Sequence, residues 1–365
     1  MKNVNKKVNP VKPEGVFRSI IECMRGFRKE TRMLIIKERT IPIRIQKIKA
    51  LLRRIPENHW KRAEMEADLA KRWAGFRGEQ TLDFPLSKLP EKDFMIFHGL
   101  RLSNGRHFFQ IDTLLLTTSF ALILEVKNYI GTLYFDPILN QLIQTTPNGE
   151  VKGYANPIEQ ARQQQTEMEK WLEKRNISIP IEFLIVISKP STIIQTAPGY
   201  MNTLRKVLHV QFLLNRIEKI ESPYKQGMFQ PKDLKKVCRI LLKQHFPETF
   251  DVLKFYNIPQ NEILTGALCS NCPSPIALKR HHGTWFCTNC HKKDKVAHIK
   301  AINDYFLLTN DSPITNEQLR EFLHLSSADI AKKLLTGMKL PHKGTTKGRV
   351  YLPASDYQSI TEVKR

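Results

Sequence analysis

Apolar and polar positions alternate over residues 94–145 in a way that predicts a run of short strands. Two apolar segments are joined by Asn104-Gly105, a dipeptide typical of β-hairpins. The predicted strands cover residues 94–103, 107–116, 121–129, 131–135 and 142–145. We expect them to form a mostly antiparallel meander.

Helical and strand patterns alternate in the next part of the chain. A helix is predicted over residues 155–173, and the apolar run Glu182–Ser188 after it is typical of a buried strand. Because this strand follows a helix, we expect a crossover connection and therefore a mixed sheet. A last short strand is predicted at residues 207–210. Further helices are predicted at residues 60–80, 233–245, 296–308, 316–323 and 328–335.

The chain is strongly basic, with 58 Lys and Arg against 35 Asp and Glu and a net charge of +23. Residues 1–62 hold 18 of the basic residues and 5 of the acidic ones, a net of +13. This charge favours a polyanionic partner, with nucleic acid ahead of an anionic membrane. Apolar residues between Phe17 and Phe27 recur at helical spacing among arginines. They predict a helix that contacts DNA or, weakly, a membrane surface, or one that docks on the main domain.

The sequence lacks an apolar run of membrane-spanning length and the apolar core of a secretory signal. We therefore expect a cytoplasmic protein.

Two carboxylates lie on predicted apolar strands, where a side chain without a role would be costly to bury. These are Asp112 and Glu125, and Lys127 points to the same strand face as Glu125. Carboxylates from adjacent strands suit Mg²⁺ or Mn²⁺, which can activate a water for phosphodiester hydrolysis. Lys127 could hold that water or stabilise charge on phosphorus. The alternative is an edge-strand Glu–Lys pair and an Asp at a strand end.

The ordered motifs resemble those of the PD-(D/E)xK nuclease superfamily, and more closely the nuclease-related domain, NERD. The motifs are Gly78-Glu79 at a helix end, Gln110-Ile111-Asp112, Glu125-Val126-Lys127-Asn128-Tyr129-Ile130-Gly131, and Asn156-Pro157 followed by Gln160. The resemblance covers about Trp73 to Gln244, and Ile111 stands where the superfamily has proline.

Family members tend to begin near an Ile-Ile-Lys-x-Arg stretch, which here is Ile35 to Arg39. We therefore hypothesise that Met33 is the true start.

The resemblance implies a metal-dependent nuclease that hydrolyses phosphodiester bonds in DNA. Asp112 and Glu125 would hold Mg²⁺ or Mn²⁺, Glu79 would be a third acidic group, and Gln160 would contact substrate or orient water. The alternative is a non-catalytic DNA-binding scaffold or regulator that retains the nuclease fold.

Four of the six cysteines form two C-x-x-C pairs, which are separated by fourteen residues. This spacing predicts a structural Cys₄ zinc site with no open coordination position. The expected ligands are Cys269, Cys272, Cys287 and Cys290. We call the segment that carries these cysteines the zinc ribbon. Its surface would be basic and aromatic and would suit nucleic acid, through Lys279, Arg280 and Trp285.

The last segment predicts three helices and a basic hairpin, a pattern similar to a winged helix-turn-helix. Lys343, Lys347 and Arg349 on the wing would contact phosphates. A small helical protein-interaction domain is an equal alternative, because the candidate recognition helix carries only Lys332 and Lys333.

The predicted fold class is α/β, with a restriction-endonuclease-like mixed sheet flanked by helices. A small zinc ribbon and a winged-helix-like module would follow it. The predicted divisions are a basic helical region (1–58), the nuclease-like domain (59–246), a linker (247–266), the ribbon (267–295) and the C-terminal module (296–365).

Overall fold

A computed structural model describes residues 34–90, 93–224, 229–346 and 348–354. The amphipathic segment before Met33, and Met33 itself, lie outside these residues. Within them the chain forms two compact units. We call residues 34–45 and 67–249 the sheet unit, and residues 46–66 and 250–354 the ribbon unit.

The helices predicted above are present, and further helices lie at residues 43–53, 83–86, 213–221 and 252–256. Together they are α1 (Ile43–Arg53), α2 (Arg62–Gln80), α3 (Asp83–Leu86), α4 (Pro157–Glu173), α5 (Leu213–Glu221), α6 (Pro231–Gln244), α7 (Val252–Tyr256), α8 (Ala297–Leu308), α9 (Asn316–Leu323) and α10 (Ala328–Gly337). Every helix in the described residues is too short or too polar to span a lipid bilayer.

The sheet unit contains a six-stranded sheet in the order β1-β2-β3-β4-β8-β10. Its strands are β1 (Leu34–Lys37), β2 (Met95–Ser103), β3 (Phe108–Leu116), β4 (Ala121–Lys127), β8 (Ile181–Ile187) and β10 (Val207–His209). β2, β3 and β4 are antiparallel neighbours, whereas β1, β8 and β10 each pair in parallel. The expected crossover from β4 through α4 to β8 is present, so the prediction of a mixed sheet is confirmed.

Helices cover both faces of this sheet because its strands are apolar on both sides. On one face, Leu114 and Ile123 pack in a core with Met168 and Trp171 of α4. On the other, Leu115, Leu122 and Leu124 pack with residues of α3 and α5. Asp112 in the middle of β3 and Glu125 near the end of β4 therefore interrupt an apolar surface.

The segments at 131–135 and 142–145 leave the main sheet, contrary to the predicted single meander. They form a separate sheet in the order β7-β6-β5-β9. Its strands are β5 (Thr132–Asp136), β6 (Gln141–Thr145), β7 (Val151–Ala155) and β9 (Ile193–Thr196). Gly131 has a φ of +85°, and a Cβ there would lie 2.1 Å from the Thr145 carbonyl oxygen. Glycine at 131 thus permits the close turn that starts the second sheet.

The ribbon unit contains two small sheets. β11 (Lys279–His281), β12 (Thr284–Phe286) and β13 (Lys293–Asp294) form the first. β14 (Ile314–Thr315), β16 (Val350–Tyr351) and β15 (His342–Lys343) form the second, beside α9 and α10. Thr315 and Gln318 make the reciprocal bonds of a capping box, which fixes the start of α9 as predicted.

Candidate functional site

Asp112 in the middle of β3 lies close to Glu125 near the end of the neighbouring strand β4. The antiparallel register of β3 with β4 runs to the pair Thr113–Leu124, and Asp112 and Glu125 are the next residues on the two strands. At this point Asp112 Oδ2 accepts a hydrogen bond of 3.1 Å from the backbone N–H of Val126. The Asp112 side chain thus accepts from the Val126 N–H where the backbone pairing of β3 with β4 ends.

Glu125 is almost fully buried, and three side chains donate to its two oxygens. Lys127 Nζ lies 2.7 Å and Gln160 Nε2 2.7 Å from Oε1, and Gln164 Nε2 lies 2.8 Å from Oε2. Lys127 also donates to Gln160 Oε1 at 2.9 Å. Glu125, Lys127 and Gln160, which the sequence singled out, therefore form one hydrogen-bonded group.

The start of α4 explains how Gln160 reaches this group. Asn156 is the N-cap and accepts from the Ile158 N–H at 3.0 Å, while Pro157 occupies the first helical turn. This start orients the buried face of the helix towards β4. Gln160 and Gln164 are four residues apart and thus lie on that same face, one turn after the other.

The neighbouring carboxylates raise the affinity of Asp112 for protons. Burial, together with the charges of Glu125 and Glu79, raises the pKa of Asp112 well above its ordinary value. Burial alone would lower the pKa of Lys127, but the charge of Glu125 and its hydrogen bond outweigh burial, and the pKa is raised. Lys127 thus stays an ammonium group, and the pocket around Asp112 has an excess of negative charge.

Glu79 approaches this pocket because α2 packs closely against the strand ends. A Cβ at Gly78 would lie 2.6 Å from the Cβ of Asn128, so only glycine allows this approach. Asn128 donates to the Ala74 carbonyl at 2.6 Å and accepts from the Ser188 hydroxyl at 2.7 Å. The Gly-Glu and Glu-x-Lys-Asn motifs therefore contact each other directly.

Arg39 holds Glu79 in place. Its Nη1 donates to Glu79 Oε2 at 2.8 Å, and its side chain is only 7% exposed. The same guanidinium contacts Asp83 Oδ1 at 3.2 Å and His98 Nδ1 at 2.8 Å. Burial raises the pKa of Glu79, although Arg39 acts in the opposite direction.

His98 is a neutral acceptor in this network. Arginine can only donate, so His98 Nδ1 carries no proton. Burial and the charges of Arg39 and Lys37 lower the pKa of His98 to about 3. The Thr113 hydroxyl lies 3.1 Å from the same nitrogen.

Sequence reasoning assigned no role to Arg39, His98 or Gln164. Arg39 ends the Ile-Ile-Lys-x-Arg stretch that marks the start of the family resemblance, and that stretch was the available signal. Gln164 stands in a run of three glutamines, and only the one-turn spacing from Gln160 distinguishes it from its neighbours.

Residues 74–188 match the family model of the nuclease-related domain, NERD. This part of the chain is a nuclease-related domain. No curated protein and no solved structure gave a significant match. The matched residues include Glu79, Asp112, Glu125, Lys127, Gln160 and Gln164.

The donor set of the NERD site fits a divalent cation in part. Mg²⁺ commonly uses one or two carboxylates and takes water or substrate phosphate as its other ligands. Asp112 and Glu125 supply such a pair, and the raised pKa of Asp112 marks an excess of negative charge that a cation would relieve. Glu79 does not complete a three-ligand cluster, since the only such cluster in the described residues is formed by cysteines.

The four predicted cysteines converge and are positioned to bind a metal ion. Their sulfurs lie within 4.8 Å of one another, and the pairs Cys269–Cys290 and Cys272–Cys287 are each 3.7 Å apart. A tetrahedral Zn²⁺ with bonds of about 2.3 Å separates its sulfurs by about 3.8 Å. The backbone N–H of Asn271 points at Cys269 Sγ from 3.4 Å, as expected for a cysteine knuckle.

The predicted nucleic-acid surface of the ribbon lacks its aromatic residue. Trp285 is completely buried, and its Nε1 donates to His298 Nδ1 of α8 at 3.3 Å. The expectation that Trp285 stacks on bases is therefore wrong in this structure. Arg280 lies over the same ring, 5.0 Å from its centre, whereas Lys279 is exposed.

The predicted basic hairpin is present as the antiparallel strands β15 and β16. Lys343 is exposed on β15. Arg349 instead donates to the carbonyls of Gly344 and Thr345 at 3.3 and 3.1 Å, so it stabilises the turn. Lys347 lies outside the described residues.

Proposed function

We propose that this protein is a Mg²⁺- or Mn²⁺-dependent nuclease that hydrolyses phosphodiester bonds in DNA. The observation that carries the proposal is the placement of Asp112 close to Glu125, with Lys127 and Gln160 bonded to Glu125. The match to the nuclease-related domain over the same residues supports it. The mixed sheet with helices on both faces is compatible with a restriction-endonuclease-like fold.

Each side chain has a role that follows from its contacts. Asp112 and Glu125 would hold the cation, which when bound polarises a phosphate oxygen and lowers the pKa of a water. Lys127 keeps its proton at Nζ and can donate to an attacking water or to a charged phosphate oxygen. Gln160 orients Lys127 through its Oε1, and Glu79 adds negative charge near Asp112.

The ribbon unit would supply nucleic-acid binding around a structural Zn²⁺. We assign Cys269, Cys272, Cys287 and Cys290 as its ligands. Lys279, Arg280 and Lys343 are the basic residues we assign to DNA contacts. The helices α8–α10 with the sheet β14–β16 are compatible with a winged helix-turn-helix. Under this proposal the protein acts in the cytoplasm.

One observation favours a second candidate, a DNA-binding scaffold without catalysis. Both oxygens of Glu125 already accept hydrogen bonds from the chain, and Glu79 does not join a three-ligand cluster. Isothermal calorimetry separates the two candidates, because a scaffold does not require Mg²⁺ or Mn²⁺ at this site.

A cleavage panel with the purified protein tests the nuclease proposal. Single- and double-stranded DNA and RNA are incubated with Mg²⁺ or Mn²⁺, using the parent chain and the variants Asp112→Asn and Lys127→Ala. We expect both variants to lose cleavage while DNA affinity is retained. Lys71→Ala, an exposed lysine on α2, is the control. Equal cleavage by the parent and both site variants would refute the assignment.

A further inference from the structure

The ribbon unit contains a cleft of about 280 Å³ that no motif indicated. It lies between the end of α1, the first cysteine knuckle and α8. Its charged lining residues are Arg53, Arg54, Glu57, Arg62, Lys300 and Asp304. Four cations and two carboxylates therefore share one cleft.

Two of these cations are already neutralised within the unit. Arg54 is buried and donates to Asp304 Oδ2 at 3.0 Å and to the carbonyls of Leu264 and Gly266. Arg53 pairs with the other oxygen of Asp304. The two oxygens of the buried Asp304 are thus each bonded to an arginine.

The other two cations, Lys300 and Arg62, are less fully compensated. Within the described part of the chain, the ammonium of Lys300 makes no hydrogen bond or ion pair. Burial and the charges of Arg53 and Arg54 lower the pKa of Lys300, against the attraction of Asp304. Arg62 pairs with Glu66 on the surface of α2, where such pairs contribute little, and it donates to the Leu52 carbonyl at 3.2 Å. An anion in the cleft would relieve this repulsion.

An exposed aromatic ring lies in the loop that borders the cleft. Trp60 is 72% exposed and stands in the turn between Glu57 and Arg62, which both line the cleft. His59 stacks on the indole at 6.1 Å, and Lys61 Nζ lies 4.7 Å from its centre. His59 Nε2 lies 2.8 Å from Glu262 Oε2, and this contact fixes the imidazole beside the Trp60 indole.

We propose that this cleft binds a single-stranded nucleic acid, with a backbone phosphate at Lys300 and Arg62 and a base stacked on Trp60. Cationic grooves beside aromatic side chains are the usual means of binding a single strand without sequence preference. A duplex fits less well, because its bases are stacked internally and cannot reach the indole. The inference rests on the proposed function, which gives nucleic acid as the class of ligand. It concerns binding and not cleavage.

Fluorescence anisotropy with a labelled single-stranded DNA 12-mer tests this binding site. The full-length Asp112→Asn chain serves as parent, so that cleavage cannot affect the signal. We expect Trp60→Ala to weaken binding roughly 5- to 100-fold, as loss of one stacked base does, and Trp60→Phe to retain most of the affinity. Lys300→Ala should weaken binding and reduce the salt slope by about 0.7, the value for one phosphate contact.

Matched controls separate the site from general charge effects. Lys254→Ala removes an exposed lysine from the same unit and should bind like the parent. Unchanged affinity in both Trp60→Ala and Lys300→Ala overturns the proposal. Weakening by Lys300→Ala alone also overturns it and indicates a site for a free phosphate anion, which competition by inorganic phosphate would identify. The matched duplex could bind more tightly than the single strand, with both variants weakening its binding to the same extent. That result overturns the choice of a single strand as the ligand. If the unsubstituted protein does not cleave DNA but this binding is intact, only the nuclease proposal is refuted.

Discussion

Gln164 Nε2 donates a hydrogen bond of 2.8 Å to Oε2 of Glu125, the oxygen that Lys127 and Gln160 leave free. The other end of the amide, Gln164 Oε1, is buried without a partner among the described residues. A buried acceptor without a partner lowers the free energy of unfolding, so this amide destabilises the folded protein. We infer that Gln164 is a positioning residue that fixes the carboxylate plane of Glu125.

The first prediction concerns Gln164→Leu, which keeps the volume of the side chain and removes its donor. Cleavage should fall about 10- to 100-fold, the usual loss when a residue supporting a metal ligand is removed. The Mg²⁺ concentration for half-maximal activity should rise, because Glu125 is no longer held. Gln163→Leu places the same substitution on the exposed face of α4 and should have little effect. If the two variants cleave alike, Gln164 has no positioning role.

The second prediction concerns Arg39→Met. This change leaves Glu79 half-buried without its ion pair and His98 without its donor. Breaking a buried ion pair costs about 3–5 kcal/mol, and we expect the lower end of about 3 kcal/mol because the Glu79 side chain is 26% exposed. Urea denaturation measures the loss. Arg72→Met breaks a surface pair with Asp68 at 3.0 Å and should cost about 1 kcal/mol or less. Similar losses in the two variants would show that the Arg39 network is not specially stabilising.

The third prediction concerns the metal of the ribbon. Purified protein should contain one equivalent of zinc per chain, and Cys272→Ser should lose it, because hydroxyl oxygen is a poor replacement for thiolate sulfur. Elemental analysis after gel filtration measures the content. Cys238→Ala changes a buried cysteine of the sheet unit and should retain the metal. Full zinc content in Cys272→Ser would contradict the assignment of these ligands.

The fourth prediction concerns pH and His98. Its pKa is about 3 in the folded protein and about 6.5 when unfolded, so the unfolded state binds more protons between these values. The free energy of unfolding should therefore fall on acidification below pH 6.5, by up to about 1.4 kcal/mol per pH unit from this group. Urea denaturation at pH 7, 6 and 5 measures the slope. His98→Asn should flatten it. A slope that His98→Asn leaves unchanged would assign the effect to other groups.

The strand pattern and the ordered motifs predicted the mixed sheet and the grouping of Glu125, Lys127 and Gln160. Such residues are recognisable because a polar side chain on an apolar strand stands out in the sequence. Arg39 could not be found this way, since it acts through Glu79, forty residues further along the chain. Trp285 is buried beside His298 of α8. The sequence does not indicate that this helix packs on the small sheet that carries Trp285. The second sheet was missed because the left-handed turn at Gly131 redirects strands whose local pattern is unremarkable.

Gly78 has a consequence for how such sites are lost. Because Gly78 has no Cβ, the end of α2 can lie close to Asn128. Any larger residue there would move the third acid outwards while every polar side chain of the pocket kept its place in the sequence. An inactive relative could thus carry all the acids, the lysine and the glutamine, and differ only where no chemistry occurs.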